Sequence, residues 1–161
     1  MSDGTALELP SDREILITRS FDAPAPLVFE VLSRPEHVRR WWAPRSLGVS
    51  LDVCEIDFRV GGAWRFVMIR GGERLPAFYG TYLEIDAPHR VVNTETFEPY
   101  PDARSTVTVT LTEKAGRTTM TSRSLYPSKE VRDQVIASGM ERGMRESMIQ
   151  LSAVVASLSS T

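Results

Sequence analysis

Few side chains in this chain could move a proton or hold a charge inside a fold. His37 and His89 are the only histidines, one in the helix-like stretch PEHVRRWW and one in the turn Ala87-Pro88-His89, and neither sits beside an obvious nucleophile. Both read as surface histidines. Asp57, Arg59, Arg65, Glu84 and Glu95 flank strand-like segments. Any one of them turned into an apolar interior would have its pKa displaced and become a general acid or base. The alternation that gathers apolar residues on one strand face places most such charges on the wet face. No GxSxG elbow, HExxH pair or phosphate-binding glycine loop occurs, and Gly61-Gly62 reads as a turn or bulge. Cys54 is the only cysteine, so an internal disulfide and a multi-thiolate zinc site are excluded. No catalytic residue, metal or cofactor is assigned.

The apolar residues say more. In AWRFVM, Trp64, Phe66 and Met68 share one strand face and Arg65 and Val67 the other. Met140 and Met144 offer soft, polarizable side chains to oppose that wall. Tyr79, Tyr82 and Phe97 lie on later strands and are strand formers as well as lining candidates. Trp41 and Trp42 follow a short helix, and because neighbours on a helix diverge by about 100°, one ring can anchor the core while the other covers an opening. Such a wall suits binding better than catalysis, since small-molecule pockets are largely apolar with a few orienting polar groups. The candidate ligand-binding set is Trp41, Trp42, Trp64, Phe66, Met68, Tyr79, Phe97, Met140 and Met144. The competing reading of each is plain core.

These residues need elements to position them. EILITRSF alternates as a first strand, and Pro24 opens a short helix that Pro35 ends or redirects. PEHVRRWW makes a second short helix, closed by Pro44. From Val49 to Tyr126, β-branched and aromatic runs are separated by Gly-Gly61–62, Gly-Gly71–72, Asp86-Ala87-Pro88, Pro99 to Asp102 and Lys114-Ala115-Gly116, which predicts an antiparallel meander. In VTVTLTE, Val107, Val109 and Leu111 face one side and threonines the other. Residues 128–158 read as one long amphipathic helix. At 100° per residue, Ile136, Met140, Met144, Ser147, Met148, Leu151, Val154, Val155 and Leu158 fall within an arc of roughly 120°. Gly139 and Gly143 each cost about 1 kcal/mol relative to alanine there, which close approach to the sheet or room for a ligand would offset. The expected fold is α+β: a curved antiparallel sheet of about seven strands, with two short helices after strand one, wrapped around a long C-terminal helix.

With 161 residues, 42% hydrophobic and 25% charged, the chain reads as one ordinary globular domain over 13–158 after a flexible leader, 1–12. A net charge of −2 with interspersed signs gives no footprint for nucleic acid. No apolar run approaches the roughly 20 residues of a membrane span, and the absence of a signal-like start and of paired cysteines points to the cytoplasm.

Four segments, FDAPAPLVFEVLSRPEHVRRWWAP, DFRVGGAWRFVM, YGTYLEIDAPHRVV and GMERGMRESMIQL, resemble in order and spacing the single-domain proteins similar to the activator of heat-shock protein 90 ATPase. These belong to the START-like (polyketide cyclase/dehydrase and lipid transport) superfamily. The resemblance implies a helix-grip fold over about 13–158. One departure stands out: the last-motif glycine, commonly followed by tryptophan, is here Gly143 followed by Met144. The expected function is non-enzymatic binding of a small hydrophobic molecule between sheet and C-terminal helix. The resemblance also implies two alternatives, a chaperone ATPase-activating module and a cyclase/dehydratase-type enzyme using a buried carboxylate or histidine. The sequence leaves a homodimer open.

Overall fold

The computed structural model describes residues 4–159. The elements are β1 (Thr5–Glu8), β2 (Glu14–Phe21), α1 (Ala25–Ser33), α2 (Pro35–Trp41), β3 (Ser50–Ile56), β4 (Ala63–Arg70), β5 (Glu73–Arg74), β6 (Phe78–Asp86), β7 (Arg90–Phe97), β8 (Ser105–Lys114), β9 (Arg117–Leu125), α3 (Lys129–Ala137) and α4 (Met140–Ser159). A 3-10 turn at Arg45–Leu47 joins α2 to β3. The strands form one sheet in the order β1-β2-β9-β8-β7-β6-β4-β3, with β5 paired to β4, and every pairing is antiparallel. Register shifts between Leu51 and Val53 and between Tyr82 and Glu84 bend their strands. The α+β helix-grip architecture is the expected one.

Proline punctuation shapes the two short helices. Pro24 and Pro26 start α1, whose first free N–H, that of Ala25, is taken by Glu113 Oε1 of β8 at 2.7 Å. Pro35 stops α1 and begins α2, because the residue before a proline is pushed out of the helical region; Arg34 is extended, with φ −95 and ψ 129. Val28, Val31 and Val38 from these helices are completely buried against α4 and the sheet.

The structure departs from the expected layout in three places. Residues 5–8 of the expected leader form β1, held by pairing to β2 and by Arg145 Nη1 of α4, which donates to the Thr5 carbonyl at 2.8 Å. Residues 1–3 lie outside the described residues. The two-residue β5 was too short to announce itself. The expected single helix over 128–158 is two, α3 and α4, broken at Ser138-Gly139. Gly139 has φ +84, a backbone state that side-chain-bearing residues adopt at a cost, and its N–H caps the end of α3 on the Ile136 carbonyl at 3.2 Å. Its glycine character therefore comes from ending a helix, not from close approach to the sheet. A Cβ on Gly143 would meet only Pro44 Cγ at an ordinary 3.6 Å.

Close approach occurs at Gly80 instead. A Cβ there would lie 1.9 Å from the Thr94 carbonyl oxygen and 2.8 Å from Trp64 Nε1. The missing side chain lets the Trp64 indole lie across β6 and donate to the Thr94 carbonyl at 3.1 Å. Replacing Gly80 by alanine should therefore cost at least about 3 kcal/mol, the upper end of ordinary overpacking. Gly143→Ala should be neutral or add up to about 1 kcal/mol of helix stability. Urea unfolding of the two variants beside the parent checks the contrast; similar values for both would contradict this placement of Trp64.

Candidate functional site

Beneath α1, α2 and α4, the concave face of the sheet borders a part-open cavity of about 240 Å³. Its helical side is made by Phe29, Leu32 and Ser33 of α1, Val38 and Trp41 of α2, Trp42 after it, and Met148 of α4. Its floor runs from Trp64 and Phe66 on β4 and Tyr82 on β6 to Val107, Val109 and Leu111 on β8 and Ser122 on β9. β7 contributes Arg90, Val91, Asn93 and Glu95. The site is thus an aromatic and aliphatic shell with a short polar strip of Asn93, Glu95 and Ser122.

Packing around the cavity is specific. Trp41 is buried and its Nε1 donates to the Val31 carbonyl at 3.0 Å, anchoring α2 to α1. Trp42 meets Phe66 and Phe78 edge-on, with centroids 5.0 and 5.3 Å apart. A wider, open groove of about 630 Å³ adjoins the cavity and shares Phe29, Ser33 and Phe58 with it. Phe29 and Phe58 meet edge-on at 5.7 Å, and Phe58 meets Tyr82 at 5.1 Å. These rings stand between groove and cavity, whereas Trp41 and Trp42 form part of the inner wall.

Of the expected ligand contacts, Trp41, Trp42, Trp64 and Phe66 come together around the cavity. Phe97 lies behind it, stacked on Phe78 at 4.7 Å. Met68 and Met144 pack against the surrounding core, and Met140 sits partly exposed at the start of α4. Tyr79 is in register with Arg65 and Thr96, which puts it on the opposite sheet face from Trp64. Met148, Tyr82 and the Val107 face of β8 complete the lining; their parity was readable, but the register that brings them together was not. Phe29, Phe58 and Asn93 gave no signal of their own.

The charged candidates separate cleanly. Asp57 pairs with Arg59, Arg65 with Glu98 and Glu84 with Arg90, all on exposed surface. His37 lies 3.9 Å from Glu30 on the helical side, and His89 is exposed in its turn. The buried Cys54 thiol is pushed up to about 11 by desolvation, which leaves it protonated and unreactive. Glu95 alone turns inward. It is the cross-strand partner of Ser105, partly buried, and lines the cavity. Burial, with no opposing cation, pushes its carboxyl up to about 7. Nearby, the Tyr126 phenol is raised to about 12, first by burial and then by Glu95, while a hydrogen bond with Ser124 pulls it back. Among the described residues no cluster of three or more His, Cys, Asp or Glu could hold a metal ion, and no helix is long and apolar enough to cross a membrane.

An antiparallel sheet curled about a C-terminal helix, with a part-open cavity between them, defines a START-like helix-grip protein. The family described as activator of Hsp90 ATPase homolog 1-like protein matches residues 22–156, and the chain belongs to it. A solved protein from Rhodobacter sphaeroides is similar at 25% identity and TM-score 0.86, covering 96% of this chain and 99% of that one. A Mycobacterium smegmatis protein is similar at 28% identity and TM-score 0.81, over 93% and 95% of the two chains. A Nitrosomonas europaea protein, at 22% identity, shares the fold with TM-score 0.82 over 95% and 100%. No curated protein matches the sequence.

The raised Glu95 pKa has a consequence for stability. Between the ordinary carboxylate range and about 7, the native state holds a proton that the unfolded chain has lost. Stability contributed by this site is therefore full below that window, falls as pH rises through it, and is constant above it. Glu95→Gln removes the titration. Relative to the parent, the variant should gain up to about 3 kcal/mol between about pH 5 and about pH 8. Urea unfolding of both proteins at the two pH values measures this; parallel behaviour would mean that Glu95 titrates as a solvated carboxylate.

Proposed function

We propose that this protein binds a compact, largely apolar small molecule in the space between sheet, α1, α2 and α4. The observation that carries this reading is that all three tryptophans of the chain, Trp41, Trp42 and Trp64, wall one part-open cavity of about 240 Å³. Protein interiors ordinarily pack at crystal-like density with few voids larger than a water molecule, and a recess of this size lined by aromatic and aliphatic side chains has the character of a small-molecule site. Its volume lies just under the roughly 300–1,000 Å³ of common small-molecule sites. That suits a one- or two-ring compound better than a long acyl chain. Trp41, Trp42, Trp64 and Phe66 are the direct contacts, with Phe97, Met68 and Met144 supporting them from behind. Tyr79 and Met140 lie outside the contact set.

Assistance to a chaperone ATPase, which the family description brings with it, would use the outer surface and leave the hollow unexplained. A cyclase or dehydratase would have Glu95 as its acid or base, since both histidines lie off the cavity.

The test uses para-bromophenethyl alcohol, a neutral one-ring probe whose bromine quenches indole emission. Saturable quenching is the expected result. Val109 faces the cavity and is only partly buried, so Val109→Phe should fill the hollow at a stability change within about 1.5 kcal/mol while weakening the probe at least about tenfold. Unchanged quenching in that variant would place the ligand elsewhere.

A further inference from the structure

We propose that the molecule held in this cavity carries a basic nitrogen and that Glu95 is its counter-ion, which makes the site a receptor for compact aromatic or alicyclic ammonium compounds. This rests on the binding reading above and gives the ligand its charge.

The first ground is an anion with no partner. Among the described residues, the Glu95 carboxyl accepts no hydrogen bond and forms no ion pair; the hydrogen bond from Ser105 Oγ goes to the main-chain carbonyl of Glu95. The carboxylates on neighbouring surfaces are matched: Glu84 by Arg90, Glu98 by Arg65, Glu14 by Arg123. Arg90 is the one cation lining the same cavity. It lies five residues away along β7, roughly 17 Å at ~3.4 Å per residue, and Glu84 already holds it. Glu95 is partly buried, and a carboxylate set among apolar groups is stabilised by an opposing charge. A carboxyl aimed into a hollow without a partner is a half-built ion pair.

The second ground is the surroundings. Tyr79 pairs with Thr96 and Gly80 with Trp64, so Gly80 is the β6 neighbour of Glu95, and the Trp64 indole lying across Gly80 is carried to its side. Phe66, Tyr82, Trp41 and Trp42 close the rest of the shell. Aromatic faces attract an organic cation, Trp most strongly. A partly buried carboxylate attracts it too, through a charge-assisted hydrogen bond that apolar surroundings strengthen. The same two features reject a carboxylate-bearing lipid, whose head would meet Glu95 as a like charge. A wholly neutral ligand would leave Glu95 as it stands.

Three groups besides the ligand bear on Glu95 when it titrates: Tyr126 after β9, Tyr82 on β6 and Arg90 at the far end of its own strand. Burial keeps both phenols protonated through neutral pH, and α1, α2 and α4 line the cavity without a titratable side chain. Amine binding below the Glu95 pKa of about 7 must therefore expel the Glu95 proton.

The experiment compares para-bromophenethylamine, para-bromophenethyl alcohol and para-bromophenylpropanoate by tryptophan quenching. At about pH 8 the amine should bind at least about tenfold tighter than the alcohol, and the propanoate more weakly than either. Toward about pH 5 the amine's affinity should fall by up to about tenfold per pH unit while the alcohol's stays level. Glu95→Gln should bring the amine-to-alcohol ratio to about one and abolish the pH slope, and Glu95→Asp should keep part of both. If the alcohol quenches and the amine is no better, or if the preference survives in Glu95→Gln, the inference falls and the binding reading stands. If neither quenches, both fall.

Discussion

Three carbonyls at the end of α2 decide where the roof of this molecule sits. The last carbonyls of any helix lack partners within it, and here those of Trp41, Trp42 and Ala43 find theirs on α4. Ser147 Oγ donates to Trp42 at 2.7 Å, and Gln150 Nε2 donates to Trp41 and Ala43 at 2.9 and 2.8 Å. Gln150 Oε1 accepts the Arg45 N–H at 3.0 Å in return. One amide and one hydroxyl thus lock the register of α4 against α2. Apolar burial of Leu151, Val154 and Val155 alone would tolerate sliding, because it has no preferred position along the helix axis. Both tryptophans of the inner wall belong to the clamped segment, so the cavity's shape is inherited from these hydrogen bonds.

The opposite side is set by backbone rather than by side-chain bonding. Gly80 removes the one Cβ that would lift Trp64 from the sheet, and the indole then satisfies its own N–H on Thr94. The floor is flat and aromatic where a β-sheet would ordinarily be ridged. Roof and floor are each over-determined, which is how a void persists in a core that would gain dispersion energy by collapsing.

Much of this was legible in the residues. Period-two alternation and Gly/Pro breaks announced seven of the strands, and Pro24, Pro35 and Pro44 announced the two short helices. β1 and β5 were not legible because four- and two-residue strands take their order from partners rather than from their own pattern. The break at Gly139 was hidden because the apolar stripe continues through it, so the angles of one helix describe two. At the site, strand parity put Trp64 and Phe66 on the right wall. Parity could not choose Glu95 from five comparable charges. Which strand face turns inward at position 95 depends on its register against Ser105 and Gly80, and register is a property of pairs of strands.

The thinness of the partition at Phe29 and Phe58 separates two quantities that are often tied together. A guest moving between the groove and the inner hollow needs those rings to swing about their side-chain bonds, a motion far faster than unclamping a helix held by Ser147 and Gln150. On the proposed reading, dwell time would be governed by two phenyl rings on α1 and on the β3–β4 turn, and affinity by the tryptophans and Glu95 further in. Speed of exchange and strength of holding can drift independently as such a chain evolves.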